Sequence, residues 1–229
     1  MSERHLGPFK SLRDYLHALN QHNLGIHINN VNQDKYEATG FIYKLIEKYG
    51  VINSPVVFFD QIKSGGIDFK NASTGNLFGK WNLEALALGL PIKDLSPQKS
   101  YQLAVNKIEK HIDKEGKWPT IKPELVSPNL APCKEIIINE NEVDLFQFAF
   151  LQTNPGDNGH YINTGSIILE DEELGRNVGT YRCQIKDSRK IGINPQVNQD
   201  GWKFLQKLKE QGRASAVFLV YEALRKTEL

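Results

Sequence analysis

Two polar stretches in the second half of the sequence carry residue types that bind anions and cations. The first runs through Asp157, Asn158, Gly159, His160, Tyr161, Asn163, Thr164 and Gly165; the second holds Asn177, Gly179, Thr180, Tyr181, Arg182, Cys183 and Gln184. Asn177 offers an amide oxygen, a hard neutral ligand suited to Mg²⁺, Mn²⁺ or K⁺. Arg182 offers a planar set of donors that matches a phosphate or carboxylate. Together they suit a metal-bridged phosphate, with Gly159, Gly165 and Gly179 letting backbone come close to a ligand. The same residues also read as ordinary hairpin punctuation, with the arginine on a solvated strand face. Strand period sharpens the choice. An offset of five residues puts Asn177 and Arg182 on opposite faces, so one ligand reaches both only at a bulge near Gly179 or around the strand edge.

Other reactive types read more plainly. His160 stands alone in a turn, and His22 and His27 are not at the spacing of one helix face. Cys183 lies in a strand-like run with no neighbour to lower its pKa, the pattern of a buried inert thiol. Cys133 and Cys183 are far apart and lack zinc spacing, so neither a disulfide nor a structural zinc is expected. No nucleophile elbow, Walker loop or dinucleotide fingerprint is present.

The elements that must position these residues follow from periodicity. Ser11 begins a helix over 11–22 with Asp14 in capping-box position, and 24–28 reads as a strand. Asp34 is expected to cap a helix whose apolar side is Tyr36, Ile42, Tyr43, Ile46 and Tyr49, ending at Gly50. The run 55–59 reads as a buried strand, Gly65 and Gly66 as a turn, and 67–70 as a returning strand. Helices are expected over 81–88 and from Ser96-Pro97 to about 116, the latter burying Tyr101, Val105, Ile108 and Ile112. Prolines 119, 123, 128 and 132 then exclude helix and central strand, marking a linker. Beyond it, strands are expected at 136–138, 161–169, 177–186, 189–193 and 216–220, with turns at 154–159 and 170–176 and one helix at 200–211. The class is α+β, divided as an N-terminal α/β domain (1–117), a Pro-rich linker (118–133) and a mostly antiparallel β domain (134–229), without internal repeats.

Bulk properties narrow the partners. The chain has 229 residues, with 28 basic and 27 acidic side chains and a formal charge of +1, which gives no electrostatic ground for a nucleic-acid partner. No segment has the apolar length of a membrane span, and the N-terminus lacks an export signal, so a cytoplasmic protein is expected.

The order of these features resembles the UbiD-like decarboxylases, which act on aromatic and α,β-unsaturated acids with prenylated FMN. The resemblance is carried by 9–16, by 132–135 leading to Asp144 and Leu145, and most specifically by 157–165 and 177–184. It implies a split β-barrel, FMN-binding-like, for the second domain, incomplete at 134–229. It further implies that Asn177 helps hold a divalent cation (Mn or Mg, with K possible) at the cofactor phosphate. Thr180 and Tyr181 would contact the flavin, Arg182 would be the catalytic arginine beside the prenylated ring, and Pro195 and Gln196 would approach the cofactor. In the family a nearby carboxylic acid protonates the carbon that CO₂ leaves.

Departures from the pattern are equally specific. One branch has a histidine metal ligand where this chain has Val197; the other has two arginines in the region that here reads Asn194-Pro195 and 198–201. The resemblance covers roughly the first half of a family member. The expectation is therefore a truncated or split (de)carboxylase acting on a small carboxylic acid, as a homo-oligomer or with a second chain supplying the C-terminal half. The alternative is a non-catalytic flavin- or partner-binding module. A stand-alone flavin reductase leaves the first 130 residues without a role.

Overall fold

The computed structural model describes residues 7–119, 121–122, 124–212 and 218–220. The first half of the chain is built around one strand. β3 (Val56–Ser64) is paired in parallel by β1 (Gly25–Ile28) along its first half and by β2 (Val31–Asn32) near its end, and antiparallel by β4 (Ile67–Gly75). Such a strand is apolar on both faces because both are covered. Val56 and Phe58 pack with Tyr15, Leu16 and Leu19 of α1 (Leu12–Gln21), together with Leu83 and Leu86 of α3 (Asn82–Ala87). Val57 and Phe59 pack on the other face with Val31, Phe69 and Ala38 of α2 (Glu37–Tyr49). The Ser11 hydroxyl accepts from the Asp14 N–H at 3.1 Å and closes α1 as its spacing predicts.

The second half holds an antiparallel sheet in the order β7-β6-β5-β8, formed by β5 (Tyr161–Asp171), β6 (Gly175–Asp187), β7 (Lys190–Ile193) and β8 (Phe218–Val220). One face of β5 and β6 packs Ile162, Ile167, Leu169, Cys183 and Ile185 against Phe150 and against Phe204 of α5 (Asp200–Glu210). Lys207 of α5 ties the helix to the β5–β6 hairpin through Asp171 and Glu173. The sheet is open; no closed barrel is formed among the described residues.

A polar seam joins the halves. Gln33, 2% exposed, donates through Nε2 to Thr39 Oγ1 (2.9 Å) and to the Gln152 carbonyl (2.8 Å), while Thr39 Oγ1 donates to the Thr153 carbonyl (2.9 Å). The Phe150 carbonyl accepts from Ser64 Oγ (3.2 Å) and from His160 Nδ1 (2.7 Å), so His160 is a junction residue and not a free loop residue.

Several expectations are corrected. Asp34 does not cap α2: its carboxylate accepts from the Gly65 and Gly66 N–H groups at 2.7 and 3.0 Å, and α2 begins after Tyr36 in a left-handed conformation (φ 59°). Tyr43 and Tyr49 are exposed, and the packed side of α2 is instead Ala38, Ile42 and Leu45. Helix α4 (Pro97–Glu109) stops well before residue 116 and buries Ser100 and Ala104 in place of Tyr101, because Asn82 Nδ2 donates to Ser100 Oγ at 2.9 Å where the two helices meet. Residues 136–138 form no strand; they are exposed and have no pairing partner among the described residues. Strands β3 and β4 run longer than expected, since each supplies the other's ladder. Of the expected strand at 216–220, residues 216 and 217 lie outside the described set. Among the described residues of 118–133, the regular structure is two short 3-10 turns, Pro128–Leu130 and the start of Pro132–Lys134.

Candidate cofactor and substrate site

Strand alternation on β6 sorts the predicted residues at once. Asn177, Tyr181, Cys183 and Ile185 lie on the side of the packed core, and Val178, Thr180, Arg182 and Gln184 on the other. The register between β5 and β6 is regular at Gly179, opposite Ile167; the bulge is on β5, between Ile162 and Gly165. One of the two routes that would unite Asn177 and Arg182 is thereby removed, and the strand edge is left. That edge is open: β7 pairs with β6 only from Cys183 onward, so 177–182 have no strand partner on the side away from β5 among the described residues.

On the outer face, Arg182 is fixed by three hydrogen bonds. Its Nη1 and Nη2 donate to Asp157 Oδ1 and Oδ2 at 3.1 and 2.8 Å, and its Nε donates to Asn163 Oδ1 at 3.1 Å. The guanidinium lies 4.2 Å above the Tyr161 ring. The bulge at 163 and 164 turns Asn163 toward the arginine. Asp157 also accepts from Thr153 Oγ1 and the Asn154 N–H, both at 3.2 Å, and the arginine's hydrogen bond holds its carboxyl below the usual range. A guanidinium has five N–H donors, and two remain for a ligand. With Arg182 about half exposed and Asp157 at 12%, the carboxylate acts as anchor and the arginine as the presented group.

On the inner face, Asn177 Oδ1 is buried without a hydrogen-bond partner, an arrangement that costs about 1–3 kcal/mol unless something supplies a donor or a cation. The Tyr181 hydroxyl accepts from the Gly201 N–H at 3.1 Å, where α5 begins. A Cβ on Gly179 or Gly201 would lie 2.5 or 2.4 Å from the Tyr181 side chain. The bare backbone at Gly179 therefore admits a tyrosine ring of the same chain, which corrects the expectation that it admits a ligand. Pro195 is buried near the Gly201 end of this arrangement, whereas Thr180, Gln196 and Val197 are exposed. Gln196 donates its N–H to Gln199 Oε1 at 2.8 Å.

The structure thus brings Asn177, Tyr181 and Pro195 to one side of the β6 edge, and Thr180 and Arg182 to the other. Asn177 is a single neutral oxygen, and the described residues gather no cluster of three His, Cys, Asp or Glu side chains that could hold a metal ion. These residues alone do not complete a cation shell. Burial pushes the Cys183 thiol pKa up, as an inert core cysteine requires. The partners of Arg182 were legible only indirectly. Pairing 161–169 with 177–186 as a hairpin sets 161–163 against 182–184, which brings Tyr161 and Asn163 to the arginine.

With this geometry in hand, comparison with known proteins is specific. Residues 124–221 match the family described as UbiD, 3-octaprenyl-4-hydroxybenzoate carboxy-lyase Rift-related domain. The chain is 32% identical over 200 residues to a phenolic acid decarboxylase of Sedimentibacter hydroxybenzoicus, covering 84% of this chain and 38% of that protein. The open form of the vanillic acid decarboxylase of the same organism (ShVdcCD) superposes with a TM-score of 0.73 at 27% identity, over 94% of this chain and 42% of that one. An evolved dimeric form of the UbiD-class enzyme HmfF from Pelotomaculum thermopropionicum, in complex with prFMN, shares the fold with a TM-score of 0.64 at 22% identity, over 94% of this chain and 45% of that one. The chain spans about two fifths of the length of these relatives.

Proposed function

We propose, from the premise that the chain belongs to the UbiD family through its residues 124–221, that it is part or subunit of a non-oxidative (de)carboxylase. The enzyme would act on an aromatic or α,β-unsaturated carboxylic acid with prenylated FMN, and the open β5–β8 sheet would be part of its split β-barrel. The observation that carries this reading is the arginine held by three bonds with two donors left over, beside an unpaired strand edge. When bound, the prenylated flavin supplies the electron sink for the bond to CO₂.

The chain's own residues supply binding and orientation. The backbone of 177–182 offers unpaired edge groups to the cofactor, while Asn177 Oδ1, Thr180, Tyr181, Pro195 and Gln196 line its two sides. A divalent cation or K⁺ at the cofactor phosphate would take Asn177 as one oxygen and draw the others from phosphate, water and a further polypeptide. Arg182 binds the substrate carboxylate, and Asp157 with Asn163 fixes the plane in which its donors point. Asp157 is held ionised by that arginine, so it positions and does not protonate. The proton donor is then a group other than Asp157, and we assign it to the further polypeptide that completes the assembly. That same point favours a second reading, a flavin-binding module without turnover of its own.

The test is reconstitution. Co-expressed with a flavin prenyltransferase and with a polypeptide corresponding to the rest of the relatives' length, the protein should retain flavin absorbance and release CO₂ from a hydroxybenzoate or cinnamate-type acid. Arg182→Ala should retain flavin but lose turnover by at least about 10²-fold. Flavin-free protein, or undiminished turnover in Arg182→Ala, would sink the proposal. Retained flavin without turnover in the complete assembly would establish the module instead.

A further inference from the structure

A cavity of about 720 Å³ lies in the first half of the chain, at the N-terminal ends of the parallel pair β1 and β3, and shares no residue with the β6 edge. Its walls are apolar where Leu24, Leu83 and Ile92 line them, and two cations, Lys80 and Lys93, border it. No Asp or Glu lines it, and neither lysine enters an ion pair among the described residues. Asn82, 5% exposed, is also in the lining: its Nδ2 donates to the Leu95 carbonyl (3.1 Å) and Ser100 Oγ (2.9 Å), but its Oδ1 is buried with no donor. Ser54 Oγ, between the lining residues Asn53 and Pro55, is a second buried oxygen without a partner.

Each feature names a part of a ligand. Two unpaired ammonium groups at one cavity call for an anionic group. The apolar wall calls for a hydrocarbon body, and a cavity of this size is in the range that encloses small organic ligands. A buried carbonyl oxygen lacking a donor calls for an O–H or N–H, because leaving it unmet is costly.

We propose that this cavity is a binding site for a small amphipathic organic acid. Its carboxylate lies at Lys80 and Lys93, its apolar body against Leu24, Leu83 and Ile92, and a hydroxyl at its far end donates to Asn82 Oδ1. The site is independent of the decarboxylase reading, since nothing in it touches Arg182 or Asn177.

The probe is 4-hydroxybenzoate, compared with benzoate, which lacks the hydroxyl, and with inorganic phosphate, which lacks the body. Titration followed by amide chemical shifts should perturb residues 24, 83 and 92 with a dissociation constant of about 1 mM or tighter. Benzoate should bind about tenfold more weakly, and the surface double variant Lys80→Gln/Lys93→Gln should weaken 4-hydroxybenzoate by about tenfold without unfolding the chain. Arg182→Ala should leave these shifts unchanged. Equal binding of benzoate, phosphate competing as well as the acid, indifference to the double lysine variant, or shifts that vanish in Arg182→Ala would each overturn the proposal.

Discussion

Arg182 and Asp157 form a two-point ion pair across the β5 turn, Nη1 to Oδ1 at 3.1 Å and Nη2 to Oδ2 at 2.8 Å, with the carboxylate shielded and the guanidinium half open. The pair joins a loop to a strand, so it orders the 154–159 turn as well as aiming the arginine. Asp157→Asn should lower the unfolding free energy by about 1 kcal/mol at neutral pH, a figure already reduced for solvent screening on the open arginine side. The sign with pH follows from the lowered carboxyl: its contribution is complete above the unfolded value of about 3.9 and is lost as pH falls through the lower folded value. Urea melts of wild type and variant should therefore converge in acid; a gap that widens on acidification would contradict the pairing.

Helix α5 should respond to acid through a different pair. Asp171 is lowered to about 2, chiefly by its hydrogen bond from Lys207, and Lys207 is raised by Asp171 and then Glu173. The bridge is thus fully present between about pH 4 and pH 10. It is lost as pH falls toward 2 and, at the other end, as pH rises through the raised lysine value. Hydrogen exchange at α5 amides should accelerate from pH 4 toward 2 in wild type beyond the intrinsic exchange rate, and this excess should be absent in Lys207→Met.

Asn177→Leu separates stability from binding. The substitution removes a buried oxygen that has no partner and adds apolar volume on the side facing the core, so the cofactor-free chain should gain about 1 kcal/mol. Flavin retention in the assembled protein should fall in the same variant. Loss of stability on thermal denaturation of the cofactor-free chain would show that the oxygen has a partner after all.

Tyr181 and Gly201 should behave as a coupled pair. Gly201→Ala places a Cβ about 2.4 Å from the Tyr181 hydroxyl and should cost about 1–3 kcal/mol. Tyr181→Phe loses one acceptor and should cost about 1 kcal/mol. The double variant should be less destabilised than the sum, because the phenylalanine removes the colliding oxygen. Strict additivity in chemical denaturation would argue against the contact.

What the sequence made legible was local. Ser11 and Ser96 as caps, β6 as an alternating strand, and the opposite facing of Asn177 and Arg182 all depend on neighbours within a few residues. Long-range partners overrode local expectation elsewhere. Asp34 sits where a cap belongs, yet two glycine N–H groups thirty residues on take its carboxylate. Tyr101 has the helical spacing of a core residue, yet Ser100 wins the inward side because buried Asn82 needs its hydroxyl. Residues 136–138 have β-branched composition but no strand beside them among the described residues, and composition alone makes no ladder. At the site, the residue types were readable; the anchoring of Arg182 by Asp157 required the fold of a turn that carries no periodic signal.

The seam between the two sheets distributes its tolerance of substitution unequally. Its acceptors at 150, 152 and 153 are main-chain carbonyls, which any amino acid provides, whereas its donors are the particular side chains of Gln33, Thr39, Ser64 and His160. Substitution at 152 or 153 therefore keeps the acceptors of the seam while releasing the bonds that Gln152 Nε2 and Thr153 Oγ1 make to Asp157, whereas three of the four donor side chains, Gln33, Thr39 and Ser64, belong to the first half of the chain.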